Sequence, residues 1–290
     1  MAVFKTYKEE YIGDQVKLIR EATKDWNGFY YPNKEKIKEI YENVENLSPE
    51  TRHYAFENNE LIGFLASAVE GEFDGITYGS IQYPFVKEGN EELRDILMKK
   101  AIETLQAKNV QIIQTYIYED WADNVFAKIK KYGYDDGTVV RRYVRFMPKD
   151  LFFPDFEKPK EIREVDSDKD MELLIKAYET VGQYRPIIIN WKESERLVSN
   201  AIIRENDDII AHGMFDQVAD NPKRGDMSHI AIFKEGKDHL RLPMFKYLIN
   251  KANEAEIGET VLHVADDTYE PFYVEMGLTF LSIYCYEIKL

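Results

Sequence analysis

A single cysteine, Cys285, stands in the whole chain, so no intramolecular disulfide can form. A lone thiol suits a reducing interior, and within a strand pattern it reads as a small buried apolar residue. No apolar run approaches the roughly 18 residues that a membrane-spanning helix needs, so no membrane partner is expected. The first residues, Met-Ala-Val-Phe-Lys-Thr-Tyr-Lys, lack the apolar core of a secretory signal, and the expected location is cytoplasmic. Paired cysteines, His-x-x-x-His, a Gly-x-Ser-x-Gly elbow and a Walker loop are all missing, which leaves no motif for a metal site, a serine hydrolase or a P-loop nucleotidase. Positive charge is scarce as well. Against 53 Asp and Glu there are 38 Lys and Arg, a formal net charge of −15. Residues 1–150 carry a net −5 and residues 151–290 a net −10. Both halves repel phosphate backbones, so no nucleic-acid partner is expected, and the field suits a cationic amine better.

What is present is enough for real cores: 44% hydrophobic and 13% aromatic residues over 290 positions, about two domains' worth. The stretch Leu151-Phe-Phe-Pro-Asp-Phe-Glu-Lys-Pro-Lys160 breaks any regular period with two prolines and reads as a linker whose aromatics rest on a domain. It divides the chain into residues 1–150 and 161–290. The same series of elements runs on each side. A strand (Val3–Tyr7; Glu161–Val165) precedes a helix, with Val16, Ile19 and Ala22 on one apolar face in the first copy and Met171, Leu174, Ile175 and Tyr178 in the second. Hairpins follow, turning at Asn58-Asn59 and at Asn206-Asp207-Asp208, residue types that tolerate left-handed backbone. A central strand then enters a loop and a long helix, 96–107 and 244–255. Lys-Glu-Gly-x-x-x-Leu-Arg occurs at 87–94 and again at 234–241, at the same step of the series, which points to an internal duplication. Another strand (Val110–Tyr118; Thr260–Val264), a short helix closing at Gly133 or Gly277, and final strands at Val139–Phe146 and Thr279–Ile288 complete each copy. The fold class expected is α/β: a mixed sheet covered by helices, twice.

This order of elements, with the closing segment Tyr269-Glu-Pro-Phe-Tyr-Val-Glu-Met-Gly-Leu278, resembles the GNAT superfamily of acyl-CoA-dependent N-acyltransferases. The resemblance covers both halves and implies two tandem GNAT-like domains, with acetyl-CoA or another acyl-CoA as co-substrate and a small-molecule or peptide amine as acceptor. It puts Tyr273 where the family often keeps a tyrosine general acid, a phenol able to protonate a departing thiolate. In the first half that position is Ile129, which has no proton to give. The family's phosphate loop carries glycines that let backbone N–H groups close on a pyrophosphate at a helix start. Here the second half offers Gly236-Lys-Asp-His-Leu-Arg241, preceded by Ile232 on the central strand. Thus Ile232, Gly236, Lys237, Asp238, His239, Leu240 and Arg241 are the implied cofactor-binding set, with His239 and Arg241 standing where small residues are usual. In the first half Glu92 and Arg94 stand there, and Glu91 and Glu92 oppose a pyrophosphate. Pro243 belongs in the first turn of the following helix, which is expected to start near Leu242.

Other candidates are weaker. His229 opens the central strand of the second half and could act as base, since histidine titrates near neutrality; the plainer reading is a hydrogen-bonded strand residue. His263 lies on the neighbouring strand. Asp266 follows that strand and could hold polar groups of the cofactor or cap the next helix. Tyr116 and Tyr118 share one strand face and could line a groove in the first half or simply form half-buried sheet surface. Two functions are therefore expected in competition: an N-acyltransferase working from the second half, or a non-catalytic binding or assembly protein that keeps the fold and has lost both loops.

Overall fold

A computed structural model describes residues 2–26, 29–43, 48–121, 129–181, 196–218, 221–227, 230–264 and 270–290. It divides into two compact units: Met1–Val140 with Leu281–Leu290, and Arg141–Phe280.

The first unit runs β1 (Val3–Lys5), α1 (Ile12–Ala22), α2 (Lys34–Asn43), β2 (Arg52–Glu57), β3 (Glu60–Phe73), β4 (Ile76–Ile81), β5 (Phe85–Val86), α3 (Leu93–Ala107) and β6 (Ile112–Tyr118). The second runs β7 (Thr138–Phe146), β8 (Ile162–Glu164), α4 (Met171–Thr180), β9 (Leu197–Glu205), β10 (Asp208–Val218), β11 (Asn221–Met227), β12 (Ala231–Ile232), α5 (Arg241–Glu254), β13 (Glu259–Val264) and α6 (Glu270–Glu275). The chain ends in β14 (Phe280–Lys289). Among the described residues no helix is long and apolar enough to cross a membrane.

The two units repeat one topology. Antiparallel ladders join β2 to β3 and β3 to β4, as they join β9 to β10 and β10 to β11. Parallel ladders then join β4 to β6 and β11 to β13, each across a helix, α3 or α5. The hairpin turns use the expected residues: Asn58, Asn59 and Asn206 sit at φ 50°, 65° and 58°. Each crossover helix buries a stripe at helical spacing, Leu93, Leu97, Ala101 and Leu105 on α3 and Arg241, Phe245, Leu248 and Ala252 on α5. Pro243 falls in the first turn of α5, which begins at Arg241.

The final strands are exchanged. β14 lies antiparallel on β6, with Ile283 opposite Tyr118 and Lys289 opposite Ile112. β7 lies antiparallel on β13, with Phe146 opposite Thr260 and Arg142 opposite Val264. The first unit thus takes its last strand from the C-terminal end of the chain, and the second unit takes β7 from just before the segment 151–160. The units therefore follow Met1–Val140 with Leu281–Leu290 and Arg141–Phe280 rather than 1–150 and 161–290. The segment 151–160 belongs to the second unit: Phe153 exchanges two hydrogen bonds with the Asn250 side chain (3.1 and 2.9 Å), and Leu151, Phe153 and Phe156 rest on its core. Cys285, on β14, is buried, and burial pushes its thiol up.

The second unit holds a buried polar chain. The Tyr178 hydroxyl faces His212 Nδ1 at 2.7 Å, and His212 Nε2 faces Asn200 Oδ1 at 2.6 Å. An amide oxygen only accepts, so the proton sits on Nε2, and Tyr178 donates to Nδ1. Burial pushes the imidazole down to about 3. Folding therefore requires it neutral, while the unfolded chain takes up a proton below about 6.5. This stability is fully present above that value and is lost as pH falls. Between pH 7 and pH 5 the loss is about 2 kcal/mol for this one residue. Urea unfolding at both pH values, for wild type and His212→Gln, should show a drop smaller by that amount in the variant; equal drops would refute the assignment.

Candidate functional site

The site in each unit starts from one physical event, a fork between two parallel strands. In the first unit the β4–β6 ladder ends at the pair Ser80–Gln114. Pro84 has no N–H to donate, so β4 cannot extend as a paired central strand. The chain stays with β3 instead, through Gln82 N–H to Ala66 O (2.8 Å), the β5 pairing and Lys87 N–H to Ile62 O (2.9 Å). β6 runs on without a partner on that side, and the wedge that opens is a cleft of about 390 Å³. Aromatic side chains line most of it. Tyr83 and Phe85 come from one branch, Tyr116 and Tyr118 from the other, Phe29 from the loop after α1, and Trp121 from the end of β6. Trp121 stacks on Tyr118 (centroids 5.1 Å apart, planes at 18°) and takes Phe29 edge-on at 5.2 Å. Burial raises the Tyr83 and Tyr116 phenols, which keeps these walls neutral. Tyr116 and Tyr118 thus do line a groove. Phe29 and Trp121 had no sequence signal, because their loops meet only in the fold.

In the second unit the β11–β13 ladder ends at Met227–Leu262, and β12 stays with β10. His229 and Asp266 lie outside the described residues, as does the side chain of His263. Ile232 is half-buried on β12 opposite Ala211. Tyr273, on α6, is fully buried among Phe245, Phe272 and Phe280, with ring centroids 4.9 to 6.3 Å away.

The loops entering α3 and α5 differ in charge. Gly89 has φ 83°, and its N–H donates to the Glu91 carboxylate at 3.2 Å. A carboxylate therefore occupies a donor that a phosphate would need. Gly236 has φ 75°, and a Cβ there would meet nothing within 4 Å. The first N–H groups of α5 have no intrahelical acceptor, as at any helix start. Lys237 pairs with Glu205 at 2.7 Å, and Lys234 bonds the same carboxylate; the two lysines pull it down to about 2. Asp238 and His239 are exposed, while Leu240 packs on the core. Arg241 is buried: its guanidinium donates to the Ile230 carbonyl and stands 3.6 Å from Asp238. Its repeat counterpart Arg94 lies over the Tyr83 ring at 5.9 Å. The arginine of the repeated octapeptide thus ties each helix start back to the end of the central strand. Among the described residues no group of three or more His, Cys, Asp or Glu could hold a metal ion.

Two forked α/β units in tandem, each with a loop running into the crossover helix, define the fold of tandem GNAT proteins. A tandem GNAT protein of clavulanic acid biosynthesis shares it at TM-score 0.68 and 13% identity, over 100% of this chain and 98% of that one. A GNAT acetyltransferase from Sphaerobacter thermophilus shares it at 0.66 and 14%, over 99% and 95%. N-myristoyltransferase of Saccharomyces cerevisiae, solved with bound myristoyl-CoA, shares it at 0.56 and 13%, over 99% and 79%. No protein-family model matches the sequence, and no curated protein matches it.

Proposed function

We propose that the chain transfers an acyl group from an acyl-CoA to an amine, working from the second unit. The observation that carries this reading is the contrast between the loops. Both glycines are left-handed and open, and Lys87 and Lys234 each pair with a glutamate. The second loop adds Lys237, whereas at Gly89 the Glu91 carboxylate already holds the amide. Such a helix start suits a pyrophosphate, which would exchange with Glu205 for Lys237. Acyl-CoA supplies the activated thioester. The backbone N–H groups of Gly236, Lys237, Asp238 and His239, with the Lys237 ammonium, would hold its phosphates, and Tyr273 is assigned the proton for the departing thiolate. His229 and Asp266 are assigned the base and a polar contact on the strength of the resemblance. The net charge of −10 in residues 151–290 suits a cationic acceptor.

A non-catalytic reading has its own support: Arg241 is spent on the Ile230 carbonyl and Lys237 on Glu205. Thermal melts with acetyl-CoA and longer acyl-CoAs separate the two. Ligand at about 100 times its dissociation constant should stabilise by about 2.7 kcal/mol. Lys237→Ala should weaken that shift, and absence of a shift with every acyl-CoA would favour the non-catalytic protein.

A further inference from the structure

We propose that the aromatic cleft of the first unit is a binding site for an organic ammonium ion, independent of any acyl transfer. Its shape comes first. The fork between β5 and β6 opens a cleft of about 390 Å³, large enough for a small organic molecule. Its chemistry comes second. The walls are lined by the rings of Tyr83, Phe85, Tyr118 and Trp121, with Phe29 and Tyr31. Aromatic faces attract a diffuse cation, tryptophan most strongly. Charge comes third. Glu70 lines the cleft and accepts a hydrogen bond from Ser80, and no Lys or Arg is among the described residues that line it. Arg94 approaches Tyr83 but does not line the cleft. Behind the wall, Gln114 donates to Glu287 at 2.8 Å and its oxygen accepts from Tyr116 at 3.1 Å, so the polar rim is held in place. An anion would meet the Glu70 carboxylate. A neutral apolar ligand would gain the aromatic contacts but nothing from the Glu70 carboxylate. A cation with an apolar shell answers both.

The test uses choline and its uncharged isostere 3,3-dimethylbutan-1-ol, titrated against the full chain without acyl-CoA. The readouts are calorimetry and tryptophan fluorescence, since Trp121 stands in the wall and Trp26 packs on it at 5.3 Å. Choline should bind about tenfold more tightly than the alcohol and change the emission. Glu70→Gln should weaken choline by about three- to tenfold and leave the alcohol unchanged. Trp121→Leu should weaken choline, and circular dichroism and a melt establish that both variants are folded. Equal affinity for the two probes, no binding of choline up to about 20 mM, or choline affinity untouched by both substitutions would each overturn the proposal. Because no acyl-CoA is present, these outcomes are separate from success or failure of the acyl-transfer reading.

Discussion

Asp170→Ala is expected to destabilise the second unit by about 3 kcal/mol. Asp170 is fully buried where α4 begins. Its two oxygens take a bidentate fork from Arg163 on β8, at 2.5 and 2.6 Å, and Arg204 on β9 approaches at 3.5 Å. One oxygen also accepts the Asp166 N–H at 2.8 Å. Three elements therefore meet on one carboxylate, which hydrogen bonds from Arg163 hold below the ordinary range. Removing it leaves two guanidiniums facing each other across an empty buried space, and breaking a buried pair in this way typically costs about 3–5 kcal/mol. The lower figure applies because the Arg163 side chain is 40% exposed and can recover water. Arg163→Met should cost less than Asp170→Ala, since it leaves Arg204 to satisfy the acid. Urea unfolding of both variants checks the order. If Asp170→Ala costs under about 1 kcal/mol, the cluster is a solvated surface pair in energetic terms.

How much of this was legible in the sequence depended on whether a signal was local. The octapeptide at 87–94 and 234–241 marks the same strand–loop–helix step in both units, because its glycine takes left-handed φ and its arginine returns to the strand end. The hairpins followed from Asn58, Asn59 and Asn206 for the same local reason. The strand exchange was not legible. β7 and β14 are rich in β-branched and aromatic residues, and such a composition marks a strand without saying which neighbour supplies the ladder. The aromatic cleft was half legible. Tyr116 and Tyr118 alternate on one strand and declare a shared face, whereas Phe29 and Trp121 reach it from separate loops, and only tertiary structure brings them within 5.2 Å. The burial of Arg241 was likewise hidden. A charged residue beside Pro243 at a helix start looks solvent-facing, until its long stem is seen to reach the carbonyl of Ile230.

On the acyl-transfer reading, Tyr273→Phe should lower turnover by about 10²–10⁴-fold, the usual contribution of a positioned general acid. The substitution removes only the hydroxyl. The ring keeps its contacts with Phe245, Phe272 and Phe280, so the melting temperature should move little. Ile129 is the internal control. It is 1% exposed in the first unit and has no exchangeable side-chain proton. Ile129→Val should cost about 0.5–1.5 kcal/mol of stability through its lost methylene and leave turnover alone. The two substitutions thus pull in opposite directions, one on rate and one on stability. Tyr273 has no solvent exposure in the core of the second unit, which makes the competing account concrete: a residue that only packs would make Tyr273→Phe silent in rate as well as in melting. Initial rates with acetyl-CoA and an amine acceptor, measured for the wild type and both variants beside their thermal melts, decide between them. Undiminished turnover in Tyr273→Phe would take the phenol out of the mechanism, and the proton for the thiolate would then have to come from water or from the acceptor's own ammonium.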